Sequence, residues 1–265
     1  MPRQKLGQHF LIKGSILERI AAVVCPGATP LVLEIGPGRG ALTEKLLARA
    51  ARVVAIELDP YLADHLHRKF ANEARLEVIQ ADVLESDLSA WGSAPIAGNL
   101  PYYIATPIIE RVVRLAPPRA VFLIQKEVAE RLVALPGTRG YGFLTVATAV
   151  FARARLLFEV KPSAFHPPPK VDSAVVLLEP RGGVPVADPD RFLQFAGLCF
   201  AHKRKTLRNN LADAYGKALV DALPEAGLRA EQIPVDGLIA LYERVGAATP
   251  TRRFPPLPDR PPRTS

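Results

Sequence analysis

The 265-residue sequence has few of the features that mark secreted, membrane-spanning or metal-binding proteins. Its two cysteines, Cys25 and Cys199, lie far apart in apolar surroundings and indicate neither a disulfide framework nor a metal site. His65 and His67 are two apart on a predicted helix and point in different directions, so we predict no bound metal. No apolar run reaches the roughly 18 residues that would span a membrane. Residues 1–14 are basic without a continuous apolar core, so we expect no secretory signal and a cytoplasmic location.

The charge of the chain is strongly basic, at +8 with an isoelectric point near 9.7. A basic balance favours a polyanionic partner, although a basic solubilising surface would give the same charge. Hydrophobic residues make up 49% and charged residues 23% of the chain, which is ordinary for a soluble globular enzyme.

Short apolar runs alternate with segments of helical periodicity from residue 31 onward. The predicted strands are Leu31–Ile35, Arg52–Ile56, Leu76–Ile79, Ile96–Gly98 and Val121–Ile124, and the helices are Ala41–Ala50, Leu62–Phe70, Pro107–Leu115 and Glu127–Leu135. This alternation predicts an α/β fold with a doubly wound, Rossmann-like parallel sheet. Leu156–Val160 and Val171–Leu178 flank a proline-rich connection and are predicted to close it as an antiparallel pair.

The later part of the chain is helical in pattern. The predicted helices are Arg191–Phe200, Lys203–Tyr215, Gly216–Ala222 and Val235–Val245. With a Gly/Pro-rich linker at Arg181–Pro189, this pattern predicts an α/β domain over residues 1–180 and a small all-α domain over 181–248. Residues 249–265 are proline-rich and are predicted to form a loose tail.

A glycine cluster follows the first predicted strand. Gly36 and Gly38 belong to a G-x-G-x-G spacing, whereas dinucleotide-binding loops have G-x-G-x-x-G. Pro37 removes an N–H that a pyrophosphate would use, and Glu34 would repel a phosphate but attract an ammonium group. S-adenosyl-L-methionine carries an ammonium and a sulfonium and no phosphate, so the loop favours that ligand.

Two further carboxylates end the second and third predicted strands. Glu57, 21 residues past Gly36, is placed to accept hydrogen bonds from ribose hydroxyls. Asp82 is placed to accept from the amino group of the cofactor's adenine. A nicotinamide dehydrogenase stays open on these residues alone.

The fourth predicted strand ends in Asn99-Leu100-Pro101-Tyr102. The side-chain carbonyl of Asn99 and the main-chain carbonyl of Leu100 can accept both hydrogens of an adenine amino group, so that its nitrogen lone pair points at a methyl donor. Pro101 stiffens the loop, and Tyr102 offers a ring on which an extruded base can stack. The tetrapeptide predicts methylation of adenine N6.

The sequence resembles the rRNA adenine N6-dimethyltransferases, specifically the type that acts on small-subunit rRNA. The likeness runs from about residue 5 to 245, beginning with KLGQHFL at 5–11. It implies that S-adenosylmethionine is the methyl donor and that its contacts come from His9, Leu11, Gly36, Glu57, Asp82 and Asn99.

The resemblance gives roles to two later motifs. In FHPPPKVDS, residues 165–173, it implies that Phe165 forms the wall of the adenine pocket opposite Tyr102. In FAHKRKTLRNNL, residues 200–211, it implies rRNA-backbone contacts from Lys203, Arg204, Lys205 and Arg208. His202 departs from the family pattern. Tyr103 lies at a position that varies within the family.

The implied reaction is dimethylation of two adjacent adenines in the 3′-terminal hairpin of small-subunit (16S) rRNA. The expected substrate is an immature 30S-type subunit, and the expected enzyme is a monomer. Two alternatives stay open besides the dehydrogenase. One is a large-subunit rRNA methyltransferase of the macrolide-resistance type, and the other is an assembly factor whose catalysis is incidental.

Overall fold

The computed structural model describes residues 9–246. Its strands are β1 (Phe10–Leu11), β2 (Val32–Ile35), β3 (Val53–Glu57), β4 (Leu76–Gln80), β5 (Ile96–Asn99), β6 (Ala120–Gln125), β7 (Ala152–Val160), β8 (Phe165–His166) and β9 (Ser173–Pro180). Its α-helices are α1 (Gly14–Val24), α2 (Ala41–Leu47), α3 (Pro60–Lys69), α4 (Ala105–Arg114), α5 (Lys126–Leu132), α6 (Phe143–Phe151), α7 (Pro189–Cys199), α8 (Leu207–Tyr215), α9 (Lys217–Asp221) and α10 (Val235–Gly246). None of the helices among these residues is long and apolar enough to cross a membrane.

Seven strands form one mixed sheet in the order β4-β3-β2-β5-β6-β9-β7. Strands β2 to β6 pair in parallel, and β2 and β3 are buried along their whole length because helices cover both faces of such a sheet. The chain proceeds outward from β2 to β4 and then returns to place β5 on the other side of β2. Ile35 is therefore paired with Ile56 on one side and with Gly98 on the other. Open α/β sheets bind their ligands at such a switch point, beyond the carboxyl ends of the strands.

The predicted antiparallel closure is confirmed. Strand β9 lies between β6 and β7 and is antiparallel to both, so that Ser173 is paired with Gln125 and with Val160. Both strands differ from their predicted starts, since β7 begins at Ala152 and β9 at Ser173.

Two helices lie outside the predicted set. Helix α1 buries Leu17, Ile20, Ala21 and Val24, an i, i+3, i+4, i+7 pattern that packs against the sheet's core cluster. Helix α6 is apolar at nearly every position and is almost entirely buried, so it lacks the one-sided pattern by which a surface helix is detected.

The chain divides into two compact units. One contains residues 9–129 and Ala152–Pro180, and the other contains Glu130–Phe151 and 181–246. The predicted boundary at residue 180 left the segment 130–151 in the first domain, whereas hydrogen bonds tie that segment into the helical unit. Tyr141 donates its hydroxyl to the Ile233 carbonyl at 2.8 Å. The predicted tail, 249–265, lies outside the described residues.

Candidate active site

A cleft lies at the carboxyl ends of β2, β3 and β5. It brings together the glycine cluster, the first described residues of the chain and the Asn-Leu-Pro-Tyr segment. Its lining is His9, Phe10, Leu11, Leu17, Glu34, Gly36, Pro37, Gly38, Arg39, Ala41, Leu42, Glu57, Asn99, Leu100, Pro101 and Tyr102. Every predicted cofactor-binding residue except Asp82 is in this lining.

The backbone of the glycine cluster requires glycine. Gly36, Gly38 and Gly40 have φ values of 66°, 58° and 78°, in the left-handed region that other residues rarely adopt. A Cβ on Gly38 would stand 3.0 Å from the Phe10 ring, and one on Gly40 would stand 2.7 Å from the Phe70 ring. The loop is thus pressed between the β1 segment and α3, and Gly36 and Gly38 line the cleft.

The Glu57 carboxylate fixes this loop from below. Its side chain is 4% exposed, and its two oxygens accept from the main-chain N–H groups of Gly38, at 2.9 Å, and Asp59, at 3.0 Å. Burial raises the pKa of Glu57. An ionised carboxylate has about four accepting positions, so Glu57 can also accept from a ligand hydroxyl.

Asp82 lines a second cleft that adjoins the first. The two clefts share Gly36, Glu57 and Pro101, and Tyr103 lines the second cleft alongside Asp82. Oδ1 of Asp82 accepts from the Leu84 N–H at 2.8 Å, which holds the carboxylate at the end of β4. Glu57 and Asp82 therefore lie side by side at the carboxyl ends of β3 and β4.

Asn99 is oriented by the chain's N-terminal segment. Its Nδ2 donates to the His9 carbonyl at 2.9 Å. A carbonyl oxygen only accepts, so the amide nitrogen must face it, and Oδ1 is left as an acceptor. The adjoining Leu100 N–H donates to the Leu123 carbonyl at 3.1 Å, which secures the start of the loop.

Tyr102 is held by Ser173 on β9. The two hydroxyl groups are 2.6 Å apart, and Ser173 is fully buried. The Tyr102 ring lies against the His9 ring, with centroids 5.7 Å apart. The His9 Nδ1 donates to the Pro167 carbonyl at 2.8 Å, so the same histidine joins the tetrapeptide to the proline-rich motif. Sequence reasoning missed Ser173 and Phe10, because neither a hydroxyl partner nor a two-residue strand leaves a periodic signal.

Phe165 is not placed where the resemblance implied. It pairs with Leu11 across β8 and β1, is 3% exposed, and belongs to the hydrophobic core cluster. Within residues 9–246, it lines neither of the two clefts described above. Among the described residues, the ring of His9 contacts Tyr102, whereas Phe165 is buried in the core cluster.

Glu34 is buried beneath the loop and does not stand free beside it. It is 1% exposed and accepts from the Thr43 hydroxyl at 2.6 Å. Burial raises the pKa of Glu34 to about 8, because desolvation disfavours its charged form.

The predicted RNA-binding cations lie in the helical unit and are not equivalent. Lys203 donates to the Arg139 carbonyl at 2.7 Å, and Arg208 pairs with Asp221 at 2.6 Å. Arg204 and Lys205 are exposed in the turn before α8. That turn is held by Asn210, a buried residue whose Nδ2 donates to the Cys199 carbonyl at 2.8 Å.

The described residues contain no metal-binding cluster and no disulfide. Among residues 9–246, no three His, Cys, Asp or Glu side chains are grouped so that they could hold a metal ion. Cys25 and Cys199 are free and buried. The buried carboxylates, the glycine loop that lines the cleft and the oriented amide fit a small ligand that carries hydroxyl and ammonium groups.

Comparison with known proteins agrees with this geometry. Residues 2–239 match the model of the family described as ribosomal RNA adenine dimethylase. A relative from Acidobacterium capsulatum, named ribosomal RNA small subunit methyltransferase A, is 41% identical over 254 residues, which cover 91% of this chain and 90% of the relative.

Two solved structures are also similar. A dimethyladenosine transferase from Plasmodium falciparum has a TM-score of 0.76 at 26% identity, covering 90% of this chain and 98% of its own. The 23S rRNA methyltransferase ErmE has a TM-score of 0.68 at 28% identity, and the match covers 89% of this chain and 99% of ErmE.

The sheet and its switch-point cleft define the fold of class I S-adenosylmethionine-dependent methyltransferases. Within that class, the chain belongs to the ribosomal RNA adenine dimethylase family. The fold class and the family predicted from the sequence are both confirmed.

Proposed function

We propose that this protein is an S-adenosylmethionine-dependent dimethyltransferase that acts on N6 of adenines in small-subunit (16S) rRNA. Family membership and the names of the relatives support the reaction and the substrate class. The observation that carries the chemistry is the Asn99 amide, which the His9 carbonyl orients beside the glycine loop.

The glycine loop and the acidic rim would hold the methyl donor. Gly36 and Gly38 present their main chain to it, Glu57 accepts from ribose hydroxyls, and Asp82 accepts from the adenine amino group. His9 and Leu11 cover it from the N-terminal segment. When bound, S-adenosylmethionine supplies an electrophilic methyl group on a sulfonium.

The Asn99–Tyr102 segment would prepare the acceptor. The amino nitrogen of adenine is a poor nucleophile because its lone pair is delocalised into the ring. When Asn99 Oδ1 and the Leu100 carbonyl accept its two hydrogens, the nitrogen becomes pyramidal and its lone pair points away from them. Tyr102, held by Ser173, stacks on the extruded base. Positioning supplies most of the rate, and the proton leaves after alkylation has made it acidic.

The finer substrate assignment follows from the resemblance. The targets are two adjacent adenines in the 3′-terminal hairpin, and each receives two methyl groups. The enzyme works as a monomer in the cytoplasm on an immature 30S-type subunit. Lys203, Arg204, Lys205 and Arg208 contact the rRNA backbone, and the exposed Arg204 and Lys205 have the greatest freedom to do so.

Methylation of isolated subunits tests the proposal. Small subunits lacking the modification are incubated with methyl-labelled donor, and the RNA is digested to nucleosides. The expected product is N6,N6-dimethyladenosine in 16S rRNA, formed on the order of 10²- to 10³-fold more slowly by Asn99→Ala. Label in another nucleoside, or in protein, would refute the proposal.

The likeness to ErmE makes a large-subunit substrate the second candidate. The same assay with unmodified large subunits separates the two, since an enzyme of that type would label 23S rRNA instead. An assembly role is tested by Glu57→Ala in a deletion strain. If this variant restores subunit assembly fully without methylation, binding is the primary role.

A further inference from the structure

Arg39 places a cation at the mouth of the cleft. It lies between Gly38 and Gly40, its side chain is exposed, and it belongs to the cleft lining. The left-handed backbone of the loop falls on the glycines on either side of Arg39.

The Arg39 backbone is held firmly. Its carbonyl accepts from Lys69 Nζ at 2.9 Å, and Lys69 in turn pairs with Glu44 at 2.7 Å. The neighbouring Gly40 lies against the side chains of α3. The guanidinium therefore extends from a fixed point.

The guanidinium lies over an aromatic ring and, among residues 9–246, has no anionic partner. Its central carbon is 4.6 Å from the centroid of the Phe10 ring. Stacking uses the face of the guanidinium and leaves the N–H groups in its plane free to donate. Within the described part of the chain, Arg39 forms no ion pair, in contrast to Lys45 and Lys69 nearby.

The ionisable groups that line the cleft differ in burial. The carboxyl groups of Glu34 and Glu57 are buried, whereas the Arg39 side chain is exposed. A zwitterionic amino-acid ligand has to keep its carboxylate away from the two buried carboxyl groups. An arginine offers paired donors that match a carboxylate in two parallel hydrogen bonds.

We propose that Arg39 binds the α-carboxylate of the methionine moiety of the donor and so makes the cleft selective for a ligand that retains its amino-acid part. This inference rests on the proposed function. Arg39 would contact the ligand directly, and the Phe10 ring would hold the guanidinium in place.

Binding calorimetry with two ligands tests the assignment. S-adenosylhomocysteine has the carboxylate, whereas 5′-methylthioadenosine has the same adenosine and thioether without the amino-acid part. For Arg39→Gln, the Kd of S-adenosylhomocysteine is expected to rise roughly ten- to hundredfold, the range of one charge-assisted contact. The Kd of 5′-methylthioadenosine is expected to stay within about twofold. Arg68→Gln is the matched control, since it removes the same charge from the exposed surface of α3 and should change neither Kd.

Two results would overturn the assignment. An equal weakening of both ligands would mean that Arg39 only supports the Phe10 wall. An unchanged Kd for S-adenosylhomocysteine together with weaker rRNA binding would mean that Arg39 contacts an RNA phosphate instead. If the unaltered protein bound neither nucleoside, the proposed function itself would fail, which is a different outcome from either.

Discussion

The nitrogen and the oxygen of the Asn99 amide have different roles, and the substitution Asn99→Asp distinguishes them. In the structure, Nδ2 donates to the His9 carbonyl at 2.9 Å, which leaves Oδ1 to accept from the substrate. A carboxylate at this position would still accept a hydrogen bond from the substrate. It would have no donor, however, and one of its oxygens would face the oxygen of the His9 carbonyl. We therefore expect the variant side chain to turn away from its native orientation.

The expected cost can be estimated from that contact. Losing the hydrogen bond and leaving the His9 carbonyl opposed by an anion costs about 2 kcal/mol. If the full cost falls on the transition state, the rate of methyl transfer drops roughly 30-fold. Asn99→Ala removes the acceptor as well, and loss of one preorganised group of this kind costs on the order of 10² to 10³ in rate.

The pH dependence provides the sharper test. When the new carboxyl group is protonated, its hydroxyl can donate to the His9 carbonyl while its other oxygen accepts from adenine. The ratio of variant to native single-turnover rate should therefore rise as pH falls through the pKa of that carboxyl group. Asn72→Asp makes the same change at an exposed site and is the control. Its ratio of variant to native rate should stay near one at every pH. A flat ratio for Asn99→Asp, or native activity at high pH, would refute the reasoning.

Three further predictions follow from the hydrogen bonds and charges around the site. Ser173→Ala removes the 2.6 Å partner of the Tyr102 hydroxyl and should lower the rate of methyl transfer about tenfold without changing the Kd of S-adenosylhomocysteine; a matching loss of ligand affinity would contradict a role confined to the base. Burial raises the pKa of Glu34 from 4.5 to about 8, so between these pH values the folded state binds a proton that the unfolded state has lost. The free energy of unfolding should therefore fall by up to about 1.4 kcal/mol for each pH unit of increase. Urea unfolding of Glu34→Gln should lack that slope, and an unchanged slope would exclude Glu34 as its source. Replacing Arg204 and Lys205 together by Gln should weaken rRNA binding and reduce its salt dependence by about one to two counterions, while an unaltered salt dependence would remove these cations from the interface.

The sheet could be predicted from the sequence because its central strands are continuous apolar runs that end in acidic or amide residues. Glu57 and Asn99 end two such runs, Asp82 follows the edge strand β4, and parallel strands carry their carboxyl ends to one rim. The positions of these three residues therefore follow from topology alone.

The parts that could not be predicted depend on contacts between distant segments. The two-residue strand β1 is too short to show periodicity, yet it carries His9 to Asn99, 90 residues away in the chain. The same pairing draws Phe165 into the core, which a motif match does not show. Helix α6 is buried on all sides and lacks an amphipathic pattern.

The structure of a ternary complex with S-adenosylhomocysteine and an adenosine-containing RNA fragment tests the central arrangement most directly. We predict that the thioether lies over Gly36 and Gly38 and that the adenine amino group is within hydrogen-bonding distance of Asn99 Oδ1 and the Leu100 carbonyl. The Tyr102 ring should be stacked on the base. An adenine bound on the opposite side of the sheet from the thioether, out of reach of Asn99, would contradict the account.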